Sequence, residues 1–432
     1  MIVNKQQKSM ESISFEDSGK LLREGDSLET GPVMGWLSAS GTIKKSIITA
    51  KQCLENLRQH YKTILMDYPT LRIKLIMKDS KQFWCYATDE EIQFDSLIKI
   101  VDGSLIDDVP QPYESDIAPL WRVHLIQLED QTKIKVLASH GITDGRCIFD
   151  LLELFGSYAQ NKEISEKLKS SRHQPVLYEF GKKDWFTKEI TDKKISDPYG
   201  NFNIKKVKIN PPVSVPSHVV NPQWDVSYKP ISKFCRKYGI TPQAILMAIQ
   251  NEAIRIFNKG KIDDDLPIAV YIPVDNRNSP YTSELFKKSL FFSHVGIILP
   301  FMEREDDILE NMKNCGNVLK KAVSGSESCE YAYNCANIGN SDLENYNLNY
   351  PDPSTYVFAS HLGLVGVEYE NIQFRSHSPV LEGTYWPNLY GFHNKDTFCF
   401  MFNYPYNCPD GYFESIKDTS LKYYDFIVKN AE

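Results

Sequence analysis

The sequence predicts an α/β protein in two domains, and three observations carry that expectation. At 432 residues the chain is too long for one ordinary core and suggests two domains of about 200 residues. Its hydrophobic period switches repeatedly between two, the mark of strands, and about 3.6, the mark of helices. Between about residues 160 and 223 the regular pattern fails, with Asp197-Pro198-Tyr199-Gly200 followed by Pro211, Pro212, Pro216 and Pro222. The expected division is therefore 1–175, a linker at 176–223, and 224–432.

In the first half, residues 32–50 read as a strand pair around Gly41. A helix from Thr49 to Ile64 then places Cys53, Leu54, Leu57 and Tyr61 on one side. Pro69 stops it, and Ile73–Met77 and Phe83–Tyr86 read as strands. Residues 104–118, acidic and proline-containing, read as a loop. Trp121–Leu128 and Lys133–Ser139 form a hairpin over Glu129-Asp130-Gln131-Thr132.

That hairpin delivers the stretch of greatest chemical interest, Ser139-His140-Gly141-Ile142-Thr143-Asp144-Gly145. Alternation puts His140 on the apolar face with Val136 and Ala138. Gly141 and Gly145 then allow a tight turn. Past it, Ile148, Leu151, Leu152, Phe155 and Tyr158 recur at helical spacing and bury one face. A histidine at the end of a buried strand, with a carboxylate four residues on, suits a general base. The ordinary alternative is a satisfied core histidine. A metal-ligand pair on a helix is the other alternative, but two glycines in five residues argue against helix there, and no third ligand lies nearby. Cys147 falls on the helix, as a packing residue.

The second half opens with a well-marked helix. Thr241 stands at the N-cap, Pro242 at the first helical position, and Ala244, Ile245, Ala248, Ile249, Ala253, Ile254 and Phe257 on the buried face. Pro267–Val274 reads as a strand running into Asp275-Asn276-Arg277. Phe291–Leu299 is another strand and Asp306–Ala322 a helix. Ser326–Pro353, rich in asparagine, reads as a loop insertion. Tyr356–Gly363 and Thr397–Phe402 are strands, and Asp410–Lys429 a closing helix.

Pro119-Leu120-Trp121-Arg122-Val123-His124-Leu125-Ile126, the hairpin and the H-x-x-x-D-G string together resemble the chloramphenicol acetyltransferase-like acyltransferases. This superfamily includes peptide-synthetase condensation domains, plant BAHD acyltransferases and fungal alcohol acetyltransferases. The resemblance extends along most of the chain, including the helix, Pro-x-Leu-Arg turn and strands of the first half. It implies two similar α/β halves enclosing a tunnel, with His140 reachable from both mouths as general base. Asp144 and Gly145 would shape its loop, with Arg277 paired to Asp144. The strand Tyr356-Val357-Phe358-Ala359-Ser360-His361-Leu362-Gly363 is similar to one that ends in Ser-Asn-x-Gly in the family. Histidine replaces asparagine here, leaving Ser360 as the group for an oxyanion or substrate contact. The plant Asp-Phe-Gly-Trp-Gly motif is absent, and Gly383-Thr384-Tyr385-Trp386-Pro387 echoes it only distantly.

The implied reaction is acyl transfer from a coenzyme A thioester, the co-substrate, to a small alcohol or amine, with no bound cofactor and no metal. Two alternatives are a carrier-protein-dependent condensation enzyme and a non-catalytic binding protein on the same fold. Ser139 stands where carrier-dependent enzymes usually place a first histidine, which lowers the former. The intact His140, Asp144 and Gly145 set speaks against the latter. Lys287 and Lys288 are expected as a solvated charge pair rather than as coenzyme phosphate ligands. A net charge of −7 with dispersed cations offers no stripe for nucleic acid. No apolar run reaches the roughly 18 residues of a membrane helix. Nine cysteines without a C-x-x-C pair, and no evident signal peptide, fit a reduced, cytoplasmic, monomeric protein.

Overall fold

The computed structural model describes residues 14–25, 35–79, 81–103, 119–174, 176–193, 219–263, 265–289, 296–336, 356–365, 369–377, 388–405 and 408–432. The loop expected at 104–118, the asparagine-rich stretch from 337, and Gly383–Pro387 lie outside the described residues, as do most of the linker and the start of the strand expected from Phe291.

The first half supplies β1 (Leu21–Glu24), β2 (Trp36–Lys44), β3 (Ile73–Lys78), β4 (Lys81–Tyr86), β5 (Ile98–Ile100), β6 (Trp121–Gln127) and β7 (Gln131–Ser139). The second supplies β8 (Val219–Val220), β9 (Gln223–Ser227), β10 (Ile268–Val274), β11 (Gly296–Ile298), β12 (Phe301–Met302), β13 (Tyr356–Leu364), β14 (Glu370–His377), β15 (Asn388–His393) and β16 (Thr397–Pro405). Among the described residues these make three sheets. One is small, β1-β4-β3, and one has the order β14-β2-β7-β6-β5. The third runs β11-β10-β13-β15-β16-β8, with β12 on β10 and β9 on β16.

Helices form where the sequence marks their ends. Thr49 and Gln52 form a capping box at Ala50–Asp67, whose Cys53, Leu57, Tyr61 and Ile64 are buried against the five-stranded sheet. Thr241 accepts a hydrogen bond from the Ala244 N–H at 3.2 Å and starts Pro242–Phe257. Asp307 caps Ile308–Ser324, and Tyr412–Asn430 closes the chain. Both pack against Pro242–Phe257.

The large sheet is buried on both faces, and its period of two shows how. Val270, Ile272, Val357, Ala359, Leu389, Phe398 and Phe400 join the helix-side core. Ala269, Tyr271, Tyr356, Phe358, Tyr390, Phe392 and Met401 join a second core shared with Leu37, Val136, Ala138 and Ile148 of the first half. The two halves therefore meet over continuous apolar surface.

Three expectations change. Gly41 is not a turn between two strands; β2 runs straight through it. A Cβ there would lie 2.5 Å from both Cβ and Cγ of Tyr369, and a Cβ on Gly156 would overlap the same ring's hydroxyl. These two glycines form a slot for Tyr369, whose hydroxyl donates to the Leu152 carbonyl at 3.3 Å. Tyr369 anchors β14, which leaves the second half to pair antiparallel with β2, Phe374 opposite Ala39. Next, Glu327–Ala336 is a helix inside the stretch expected to be loop, burying Cys329 and Ala332. Finally, the start of the 176–223 segment is packed, with Leu177, Tyr178, Trp185, Phe186 and Ile190 all buried. No described helix is long and apolar enough to cross a membrane.

Candidate active site

The turn after β7 is held from several sides. The His140 N–H donates to the Gly35 carbonyl at 2.6 Å. The Ser139 hydroxyl accepts from the Gly141 N–H at 3.0 Å, and the Tyr178 hydroxyl donates to the Gly141 carbonyl at 2.5 Å. Ser139 is thus fully buried and acts on the backbone. Tyr178 comes from the segment expected to be linker.

Asp144 is 3% exposed and both its oxygens are engaged. Oδ1 accepts from the backbone N–H groups of Arg146 (2.8 Å) and Cys147 (2.7 Å), at the start of helix Cys147–Ala159. Oδ2 accepts from Arg277 Nη2 at 2.8 Å, across the two halves. Burial alone would raise the Asp144 pKa, but Arg277 and the backbone donors outweigh it and hold the carboxyl below its ordinary value. Arg277 lies on the short 3-10 turn Asn276–Asn278, just after β10. It also pairs with Asp275 at 2.9 Å and donates to Cys147 Sγ at 2.7 Å. Burial pushes the Cys147 thiol well up, which makes it a poor nucleophile.

A second arginine crosses in the opposite direction. Arg146 donates to the carbonyls of Leu362 and Leu364 on β13. There β13 bulges against β15 between His361 and Gly363, and Gly363 takes a φ of +83°. A Cβ on Gly145 would lie 2.7 Å from Leu362 Cδ2, so this glycine lets the bulged strand approach the histidine turn.

Between these clasps lies a cavity of about 230 Å³. The first half lines it with Leu37, His140, Asp144 and Gly145. Strands β10, β11 and β13 contribute Tyr271, Pro273, Ile297, Phe358, Ser360 and Leu362. The crossing strand β14 adds Phe374 and Ser376, and β15 adds Asn388 and Tyr390. The walls are mainly apolar and aromatic with a few polar groups, the ordinary character of a small-molecule site. Burial lowers the His140 pKa below its usual 6.5, while hydrogen bonds to the backbone at His140 and Thr143 and the Asp144 charge oppose that shift. Its ring is therefore neutral near pH 7. Donation of one ring N–H to a backbone carbonyl would leave the other nitrogen as a proton acceptor.

His140, Asp144, Gly145 and Ser360 thus line one cavity, and Arg277 stands behind Asp144. His361 does not line it. Its ring faces the other side of β13, stacking on His393 and Phe398 at centroid distances of 5.4 and 5.9 Å. Lys287, at the surface, pairs with Glu284 at 3.0 Å. The sequence reading missed Arg146, Asn388, Tyr390, Phe374 and Ser376. Arg146 adjoins the D-G pair, and the alternation Asn388-Leu389-Tyr390-Gly391-Phe392 marks a strand, but neither signal says which cavity the side chains enter.

No protein-family model and no curated sequence matches the chain. Solved structures do. A trichothecene 15-O-acetyltransferase from Fusarium sporotrichioides is 10% identical at a TM-score of 0.71, with 96% of this chain and 97% of that one covered. The epimerization domain from the third module of tyrocidine synthetase B is 11% identical at 0.65, covering 96% and 99%. The starter condensation domain of rhizomide synthetase, solved as a mutant with C8-CoA and Leu-SNAC, is 11% identical at 0.60, covering 95% and 94%. Over nearly the whole chain the fold is the one shared by these acetyltransferase, epimerization and condensation structures.

Proposed function

We propose that this protein is an acyltransferase that moves an acyl group, of which acetyl is the first to test, from a coenzyme A thioester to a small alcohol or amine. The observation that carries the reading is a neutral histidine lining a cavity made by both halves, on a turn clamped by Asp144–Arg277. The acetyltransferase and acyl-thioester complex among the solved structures of this fold support it.

His140 takes the proton of the acceptor hydroxyl as its oxygen attacks the thioester carbon. The carbonyl π electrons move to oxygen, giving a tetrahedral oxyanion. That intermediate collapses to the ester, and the departing thiolate recovers the proton from the imidazolium. Products are an ester, or an amide from an amine, and free coenzyme A. Asp144 holds the turn and favours the imidazolium electrostatically; with both oxygens engaged it is not a proton relay. No nucleophilic serine or cysteine is needed.

The test is coenzyme A release from acetyl and longer thioesters against pooled alcohols and amines, with no carrier protein added. Acceptor-dependent release is the expected result, with the intact-protein mass unchanged after incubation with donor alone. Turnover only from a carrier-bound donor would favour a condensation enzyme, and absence of donor binding a non-catalytic role.

A further inference from the structure

We propose that Tyr390, its oxygen held by Asn388, donates the hydrogen bond that stabilises the oxyanion of this acyl transfer; the inference rests on the reading of His140 as its general base. Asn388 and Tyr390 are two residues apart on β15, so their side chains share one face, and both line the cavity with His140. The cavity they share has a volume of about 230 Å³, the scale of one small bound group.

The hydrogen bonding of the pair favours donation into the cavity. Asn388 Nδ2 donates to the Tyr390 hydroxyl oxygen at 3.3 Å. That bond uses a lone pair and leaves the phenolic proton directed elsewhere. The Asn388 Oδ1 is buried with no partner among the described residues. The pair therefore leaves the phenolic donor unused beside the cavity, a costly arrangement unless a ligand accepts from it. A ligand carbonyl oxygen would accept from the phenol. Burial raises the Tyr390 pKa and the Asn388 hydrogen bond only partly offsets it, so the phenol keeps its proton over the working range.

In the reaction, the new bond joins the acceptor oxygen to the acyl carbon as its proton passes to His140. Charge gathers on the former carbonyl oxygen, and the Tyr390 O–H points its dipole there without giving up its proton. Collapse breaks the carbon–sulfur bond and returns the imidazolium proton to sulfur. Ser360 lines the same cavity and is the alternative donor.

Two readouts test the assignment. Loss of an oxyanion donor costs on the order of 10²–10³ in kcat. Tyr390→Phe should therefore lower kcat by about that factor with KM changed less than about threefold, and Ser360→Ala should do much less. The second readout needs no turnover: isotope-edited infrared spectroscopy of carbonyl-¹³C acetyl-coenzyme A bound to the His140→Ala variant. The thioester carbonyl stretch should fall on binding. Adding Tyr390→Phe should abolish that fall, and adding Ser360→Ala should leave it. If donor binds and the fall survives Tyr390→Phe, or disappears with Ser360→Ala instead, Tyr390 is not the donor while the acyl-transfer reading stands. If no thioester binds and none is turned over, that reading fails and the Tyr390 assignment falls with it.

Discussion

His140 and His361 come from opposite halves, and burial lowers the pKa of both. His140 follows the last residue of β7 on a turn pinned through Gly35, Tyr178 and Asp144, and it lines the cavity. On β13, by contrast, Phe358, Ser360 and Leu362 line the cavity while the His361 ring stacks among His393 and Phe398. Its Nε2 has no partner among the described residues. Burial makes both histidines neutral; the direction each faces decides which one can meet a substrate. His361 is thus a packing residue, while its neighbour Ser360 faces the cavity.

The largest effect that would break this comparison is on turnover. His140→Ala should lower acyl transfer by about 10²–10⁴ while the fold survives, because it removes only a general base. His361→Phe, which keeps an aromatic ring in the stack, should keep turnover within about threefold. Coenzyme A release from the two variants, alongside thermal melts, makes the check. Equal losses would mean that both histidines serve the reaction.

A second contrast separates the two clasps between the halves. Arg277 grips a buried carboxylate, whereas Arg146 grips backbone carbonyls. Removing Arg277 leaves the buried Asp144 charge without its cation, a loss of roughly 3–5 kcal/mol for a buried pair, whereas removing Asp144 leaves Arg277 still paired with Asp275. Arg277→Ala should lose stability of that order, Asp144→Ala less because Arg277 keeps Asp275, and the double variant much less than their sum. Additive losses in a denaturant cycle would mean that the pair does not act as a unit.

The smallest effect concerns acid. Burial, with His393 and Arg146 nearby, holds the His361 pKa down to about 3, while in the unfolded chain it binds a proton near the ordinary 6.5. The unfolded state therefore takes up more protons in that window, so stability is fullest above pH 6.5 and falls as pH drops toward 3. One such group contributes at most about 1.4 kcal/mol per pH unit. His361→Phe should flatten the fall between pH 6.5 and 4.5, leaving the shares of His140 and His393, whose pKa values are also lowered. An unchanged slope in urea titrations at those pH values would place the acid sensitivity elsewhere.

Much of this architecture was legible in the residues. Thr241 with Pro242, and Thr49 with Gln52, are local signals that physics turns directly into helix ends. The alternation before His140 and the glycines after it expose the strand and the turn. Arg277 opposite Asp144 came from resemblance, since nothing local joins residues 133 positions apart. What stayed hidden depends on partners distant in sequence. Gly41 looks like a turn until Tyr369 fills the slot above it. The crossing strand Glu370–His377 carries polar residues on a face that no periodicity assigns to the first half. Helix Glu327–Ala336 was masked by asparagine-rich neighbours, and Asn388 with Tyr390 gains meaning only from the cavity they share with His140.

The pH profile of kcat/KM for acceptor-dependent coenzyme A release tests the central claim most directly. If His140 is the base, the rate rises with pH through one group whose pKa lies below the ordinary 6.5, in the direction burial moves it, then levels off. The residual rate of His140→Ala lacks that limb. A His140→Ala enzyme that folds, turns over at the full rate and keeps the same acid limb would contradict the account, because another group would then be taking the proton.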